Sequence, residues 1–239
     1  GETHAARRVI AKRLRKQRHE VDLRRLLAVA QWRIGRLQMA QRTLRHVLAL
    51  APYDVEALRM QGWLALDLGD KARAVEAVSA LVTCLPADSA AQIQAAFIFA
   101  HADLIAEAQS WAERAVAHAP DAAEAWRALS EVRLRQRRMA DAELAVKHAL
   151  RLAPGRVDAL RQMGSVMLNT ARPAQAKLAF LLAIECEPDN AVLRLELSEA
   201  QGRTGNFTAA LDGTEALLKV RANWPPALLL RARLLTEVG

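Results

Sequence analysis

Pro52, Pro86, Pro120, Pro154 and Pro188 recur every 34 residues without slippage. A proline ring cannot continue a helix, so a proline at one fixed period marks the same break in one repeated unit. Carried over the chain, that phase gives six units, 21–54, 55–88, 89–122, 123–156, 157–190 and 191–224, with Ala222 in the proline's place in the sixth. The twentieth residue is always alanine: Ala40, Ala74, Ala108, Ala142, Ala176 and Ala210. The eighth is always small: Ala28, Gly62, Ala96, Ser130, Gly164 and Ser198. Small side chains at a fixed offset let helices approach closely, and the apolar positions beside them have helical spacing.

Within a unit, two apolar-periodic stretches flank a short polar turn. Leu58 to Leu68 and Ala72 to Leu85 are one such pair, split by Gly69-Asp70, and Gly35 and Gly205 mark the same turn elsewhere. A helix C-terminus favours glycine there because the cap needs positive φ. Each unit is therefore expected to be a helical hairpin. No stretch alternates with period 2, so strands are not expected. A non-repetitive helical bundle would not require a constant period.

These residues resemble the tetratricopeptide repeat family. Its pattern has a bulky residue at position 4, Leu-Gly at 7–8, Tyr at 11, Ala at 20, Phe at 24, Ala at 27 and Pro at 32. Trp126, Leu129, Ala142, Ala149 and Pro154 carry the best single match. The departure is at position 11, where Gln31, Ala65, Phe99, Arg133, Met167 and Gln201 replace Tyr. The resemblance implies an all-α fold, a right-handed superhelix (α-solenoid) of six helical hairpins plus N- and C-terminal helices. One such unit cannot bury its apolar face alone, and stacking neighbours completes a continuous core.

Residues 1–20 read as a basic N-terminal helix, with Ile10, Leu14 and Val21 on one face and Arg7, Arg8, Lys12, Arg13, Arg15, Lys16 and Arg18 around the rest. Residues 225–239 read as the first helix of a seventh hairpin, either a cap or a truncated repeat whose leucines would face a partner. The chain starts at Gly1 without a methionine and is expected to be a piece of a longer protein. Residues 1–54 hold 13 Lys/Arg against 4 Asp/Glu, and the remainder holds 21 against 22. All the excess positive charge lies at one end of the sequence. The alternatives are a solvated face, a membrane surface contacted by Arg7 to Arg18, or nucleic acid. Nucleic acid is disfavoured, since the segment lacks aromatic residues for stacking and no DNA- or RNA-binding motif is present.

Little in the chain points to catalysis. There is no Gly-rich phosphate loop and no nucleophile elbow, and no histidine pairs with another ligand at a metal spacing. No catalytic, cofactor-binding or metal-binding residue is assigned, no cofactor is expected, and the chain is read as not an enzyme. His118 and His148 fall on second helices of neighbouring units and are read as surface or capping residues. Cys84 and Cys186 sit at position 30 of units three apart, about 30 Å if each unit adds about 10 Å. A disulfide needs Cα atoms within about 7 Å, so they are expected to be unpaired apolar-face thiols.

In the family, positions 2, 5, 9, 12 and 13 of the first helices line a concave groove. The resemblance therefore places Arg25, Arg59, Ile93, Arg127 and Arg161 (position 5) there, with Trp63, Phe97 and Glu131 at position 9. Exposed Trp, Phe and Arg dominate interface energetics, and arginine forks hold carboxylates. An acidic peptide or protein segment with apolar anchors is the expected ligand. The competing expectation is self-neutralisation, each arginine pairing with Asp22, Glu56, Glu124 or Asp158 at position 2 of its own helix. The positions that form the family's chaperone-tail clamp hold Arg25, Val29, Ala90 and Gln94, which disfavours that ligand.

The expected function is a non-catalytic protein–protein interaction scaffold. Its sharper form is the cytoplasmic part of a bacterial membrane-associated assembly, tethered to the inner membrane by a missing segment. It then looks like tetratricopeptide-repeat components of exopolysaccharide (Pel-type) or envelope machinery. The alternative is a regulatory domain of a larger glycosyltransferase- or sulfotransferase-type enzyme. Joining of copies through the terminal helices is a further expectation.

Overall fold

The structure, a computed structural model, describes residues 21–238, so the basic stretch holding Arg7, Arg8, Lys12, Arg13, Arg15, Lys16 and Arg18 lies outside the described residues. The described residues form thirteen α-helices and no strand. The chain divides into two compact units between Ala119 and Pro120. The first contains α1 (Val21–Arg33), α2 (Leu37–Leu50), α3 (Val55–Asp67), α4 (Lys71–Cys84), α5 (Ser89–His101) and α6 (Ile105–His118). The second contains α7 (Ala123–Arg135), α8 (Met139–Leu152), α9 (Val157–Asn169), α10 (Pro173–Cys186), α11 (Ala191–Arg203), α12 (Phe207–Val220) and α13 (Pro225–Val238).

Consecutive helices pair as antiparallel hairpins, α1 with α2 through α11 with α12. The turn inside each hairpin is one device used six times. Gly35, Gly69, Asp103, Arg137, Ala171 and Gly205 all have φ between 55° and 81°, the left-handed region. The amide of the next residue reaches back to the position-11 carbonyl. Arg36 donates to Gln31, Asp70 to Ala65, Leu104 to Phe99, Arg138 to Arg133, Arg172 to Met167 and Asn206 to Gln201, at 2.8–3.0 Å. This is the Schellman closure, which satisfies a carbonyl the helix end leaves without a partner. Asp70 and Asn206 then cap the following helix with their side chains. Asp54, Asp88 and Asn190 do the same at the start of α3, α5 and α11. The recurring prolines directly follow the second-helix ends, where no further helical amide is required.

The small residues carry the packing. All six position-20 alanines are at most 1% exposed. Position 8 faces the second helix of its hairpin or the helix beyond it. A Cβ on Gly62 would sit 2.6 Å from Ile98 Cδ1, and one on Gly164 would strike the fully buried ring of Phe180. Ser130 at the same position donates from Oγ to the Ala142 carbonyl at 2.9 Å, which satisfies a buried hydroxyl. The final helix α13 buries Ala227, Leu230 and Leu234 against Ala210 and leaves Leu228, Leu229 and Leu235 exposed.

The thiols of Cys84 and Cys186 are free, but Cys186 is exposed, which corrects its assignment to an apolar face. It ends α10, where the last turn has already passed the packed stripe of Ala176, Phe180 and Ala183. No described helix is long and apolar enough to cross a membrane.

Candidate functional site

First helices of adjacent hairpins approach one another, α3 with α5 in the first unit and α7 with α9 and α11 with α13 in the second. Their facing side chains form a candidate interaction surface in each unit, and the two differ in chemistry.

In the first unit, the Arg25 guanidinium donates to Asp22 one turn earlier at 2.6 Å and to both oxygens of Asp54 at 2.8 and 2.9 Å. Asp54 is also the N-cap of α3, accepting from the Ala57 amide at 2.8 Å. One carboxylate thus fixes both a helix start and an arginine. Arg59 pairs with Glu56 at 3.4 Å. Trp32 Nε1 donates to Asp67 at 2.7 Å, and Trp63 Nε1 donates to Gln94. The Trp63 ring meets Phe97 at 6.4 Å, tilted 42°, and His101 edge-on at 6.0 Å. Offset and edge contacts of this kind are the favoured aromatic geometry.

Ile93 and Phe97 depart from the expectation of an exposed apolar patch: they are 6% and 3% exposed. The cause is α5, whose residues 95–100 are all buried together with Ala91, Gln92 and Ile93. A helix apolar on every side becomes core rather than surface. Of the three residues expected as anchors, Trp63 alone stays half-exposed.

In the second unit the corresponding helices carry a ladder of charge pairs. Arg127 Nε donates to Glu124 at 3.1 Å, and Glu124 also meets Arg156. Glu131 accepts from Arg135 at 2.8 Å and from Gln162 of the next hairpin at 3.3 Å. Arg161 donates from Nε to both oxygens of Glu196 at 2.8 and 2.9 Å, and this hydrogen-bonded carboxylate raises its pKa. Glu199 takes Arg203 at 2.8 Å and Arg233 at 3.2 Å, while Arg203 also donates to the Leu168 carbonyl. Beneath the ladder, Glu143 sits between Arg172 and Lys147, and their hydrogen bonds hold its carboxyl at about 2, far below the usual 4.5.

All four arginines at position 5 are thus internally paired. Three take the position-2 acid of their own helix, the competing expectation. Arg161 instead reaches Glu196 on the next hairpin, leaving Asp158 to Arg156 at 3.8 Å. Sequence reasoning missed the partners Asp54, Asp67, Gln94 and Glu196. Their signal lay in the period itself: they stand 29, 35, 31 and 35 residues from Arg25, Trp32, Trp63 and Arg161, one repeat length with a small offset. His118 hydrogen-bonds the buried Gln92 at 2.9 Å, and His148 stacks on Trp126 at 4.4 Å. Among the described residues no group of His, Cys, Asp and Glu could hold a metal ion.

A profile of the tetratricopeptide repeat family matches residues 26–89 and 101–157, just over half of the chain. The chain belongs to the tetratricopeptide repeat family. No curated protein matches it. Among solved structures it resembles a tetratricopeptide repeat protein from Parabacteroides merdae, with TM-score 0.81 and 13% identity over 98% of this chain and 93% of that one. It also resembles a chain of the APC/C hetero-tetramer Cut9–Hcn1, with TM-score 0.75 and 12% identity over 98% of this chain but 46% of that one. The type IV pilus biogenesis factor PilW gives TM-score 0.67 and 16% identity over 88% of this chain and 97% of its own. At these identities the likeness is one of fold. Tetratricopeptide repeats generally mediate protein–protein interaction.

Proposed function

We propose that this tetratricopeptide repeat chain is a non-catalytic scaffold holding a partner protein segment against its first-helix surface. The observation that carries the reading is preorganisation. Arg25, Arg59, Arg127 and Arg161 are each held by a carboxylate, and Trp63 is fixed by Gln94, Phe97 and His101. Side chains already ordered lose little entropy on binding. Because the arginines are paired, an incoming acid must exchange with a resident one, and the net gain from charge is small. The gain comes from apolar contact at Trp63, with acidic groups setting register. The partner is an acidic segment with an apolar anchor. The excess of positive charge in residues 1–54 supports placing the scaffold in a membrane-associated bacterial assembly, of which exopolysaccharide machinery is one kind.

Selection of random peptides displayed against the folded chain tests this. Ligands enriched in an aromatic or aliphatic residue flanked by Asp or Glu are the expected result. An unenriched pool, or ligands indifferent to Trp63→Ala, would overturn it.

A further inference from the structure

The first hairpin has a second surface, on the outward side of α2. Helix α2 contains no acidic residue, and Arg42, Arg45 and His46 are exposed on it. Those three side chains and Ala49 line one shallow cleft. Among the described residues no carboxylate pairs with Arg42 or Arg45. That contrasts with position 5, where every arginine is neutralised. Met39, Arg42, His46 and Ala49 are spaced by three and four residues and so share one stripe of the helix, and Tyr53 continues it into the following turn. Tyr53 is 74% exposed. Among the described residues of the unit ending at Ala119, the exposed large apolar side chains are Leu26, Met39, Leu50 and Tyr53, all in this one hairpin.

We propose that the outward face of α2, centred on Arg42, Arg45 and His46, docks on an anionic lipid surface. Arginine forks match phosphate oxygens, and basic side chains near an anionic bilayer attract it additively. Tyrosine and isolated leucine or methionine side chains suit the headgroup level, where one end is apolar and the other wet. An acidic protein partner would favour anchors gathered into one pocket. Here the apolar side chains stand singly among charges, the pattern of a face that grazes headgroups. The net charge of residues 1–54, 13 basic against 4 acidic, adds attraction toward an extended anionic surface. The proposal does not rest on the groove reading, and either can fail alone.

Cosedimentation of the whole chain with vesicles tests it at physiological salt, using phosphatidylcholine alone and phosphatidylcholine mixed with phosphatidylglycerol. The expected result is partition onto the anionic vesicles only. Arg42→Glu plus Arg45→Glu lowers that partition by at least about fivefold, and Lys219→Glu in the other unit leaves it unchanged. Arg42→Gln plus Arg45→Gln, which removes charge without reversing it, moves partition the same way by less. Equal partition of wild type and the Arg42/Arg45 variants overturns the proposal. So does Arg42- and Arg45-dependent binding of polyglutamate without vesicle binding, which would assign the face to an acidic protein.

Discussion

The two compact units use one backbone repeat for different surfaces. Where α3 and α5 face each other, the first unit presents the half-exposed Trp63 ring, backed by the buried Phe97 and by His101 of α5. Where α7, α9, α11 and α13 succeed one another, the second presents Glu131–Arg135, Arg161–Glu196 and Glu199 shared by two arginines. The helix ends, the alanine stripe and the Schellman turn are the same in both. Apart from Ile93, Phe97 and Leu195, which pack into the core, the residues at positions 5 and 9 vary without disturbing the repeat. An aromatic surface contributes contact area, whereas a self-paired ionic one contributes register, since exposed pairs are individually worth about 0–1 kcal/mol.

Position 8 gives the largest expected break in the symmetry between units. Gly62 and Gly164 occupy the same register, but an added Cβ meets one terminal methyl of the buried Ile98 in one and three ring carbons of the buried Phe180 in the other. Gly164→Ala should destabilise by about 1–3 kcal/mol through overpacking. Gly62→Ala should cost less than about 1 kcal/mol, because helix propensity favours Ala by a similar amount. Urea midpoints of the two variants check this, and equal shifts would show that Phe180 is not locked.

The turns differ more gently. A left-handed residue with a side chain costs about 1–2 kcal/mol that glycine avoids. The first unit has glycine at two of its three turns and the second at one, Gly205. Ala171→Gly should therefore stabilise by up to about 1 kcal/mol, read as a higher urea midpoint, while Gly69→Ala should lower it. A midpoint unmoved by Ala171→Gly would mean that the turn is not strained.

These turns also show what the sequence conveys and what it withholds. The 34-residue period, the position-20 alanines and Gly35, Gly69 and Gly205 made the hairpins legible. Arg137 and Ala171 have no local preference for positive φ, and Asp103 tolerates it better than most but less than glycine. They adopt it because the helices on either side must close, so tertiary packing overrides propensity there. The arginines at position 5 were legible as a row, but their partners were not. Pairing depends on which side chain of the next hairpin comes within reach, and Arg161 prefers Glu196 to the nearer-in-sequence Asp158 for that reason. Ile93 and Phe97 were misplaced as surface because family register assigns them to the groove, while the apolar composition of α5 assigns them to the core.

Glu143 separates the units by pH. Its carboxyl titrates at about 2 in the fold against 4.5 ordinarily. A depressed value means that its contribution is present above about 4.5 and is lost as pH falls from there toward 2. Glu143→Gln should lower the urea midpoint at pH 7 and converge with wild type near pH 2. A difference independent of pH would assign its role to shape rather than charge.

The central claim is that, within the first unit, Trp63 contributes affinity and the paired arginines Arg25 and Arg59 contribute register. Peptides selected on the wild-type chain decide it when their binding is measured on two variants. The account predicts loss of at least about tenfold with Trp63→Ala, on the scale of an interface hot spot. It predicts less than about fivefold with Arg59→Ala, accompanied by weaker discrimination between acidic and amide-substituted peptides. Binding that survives Trp63→Ala and collapses with Arg59→Ala would contradict it.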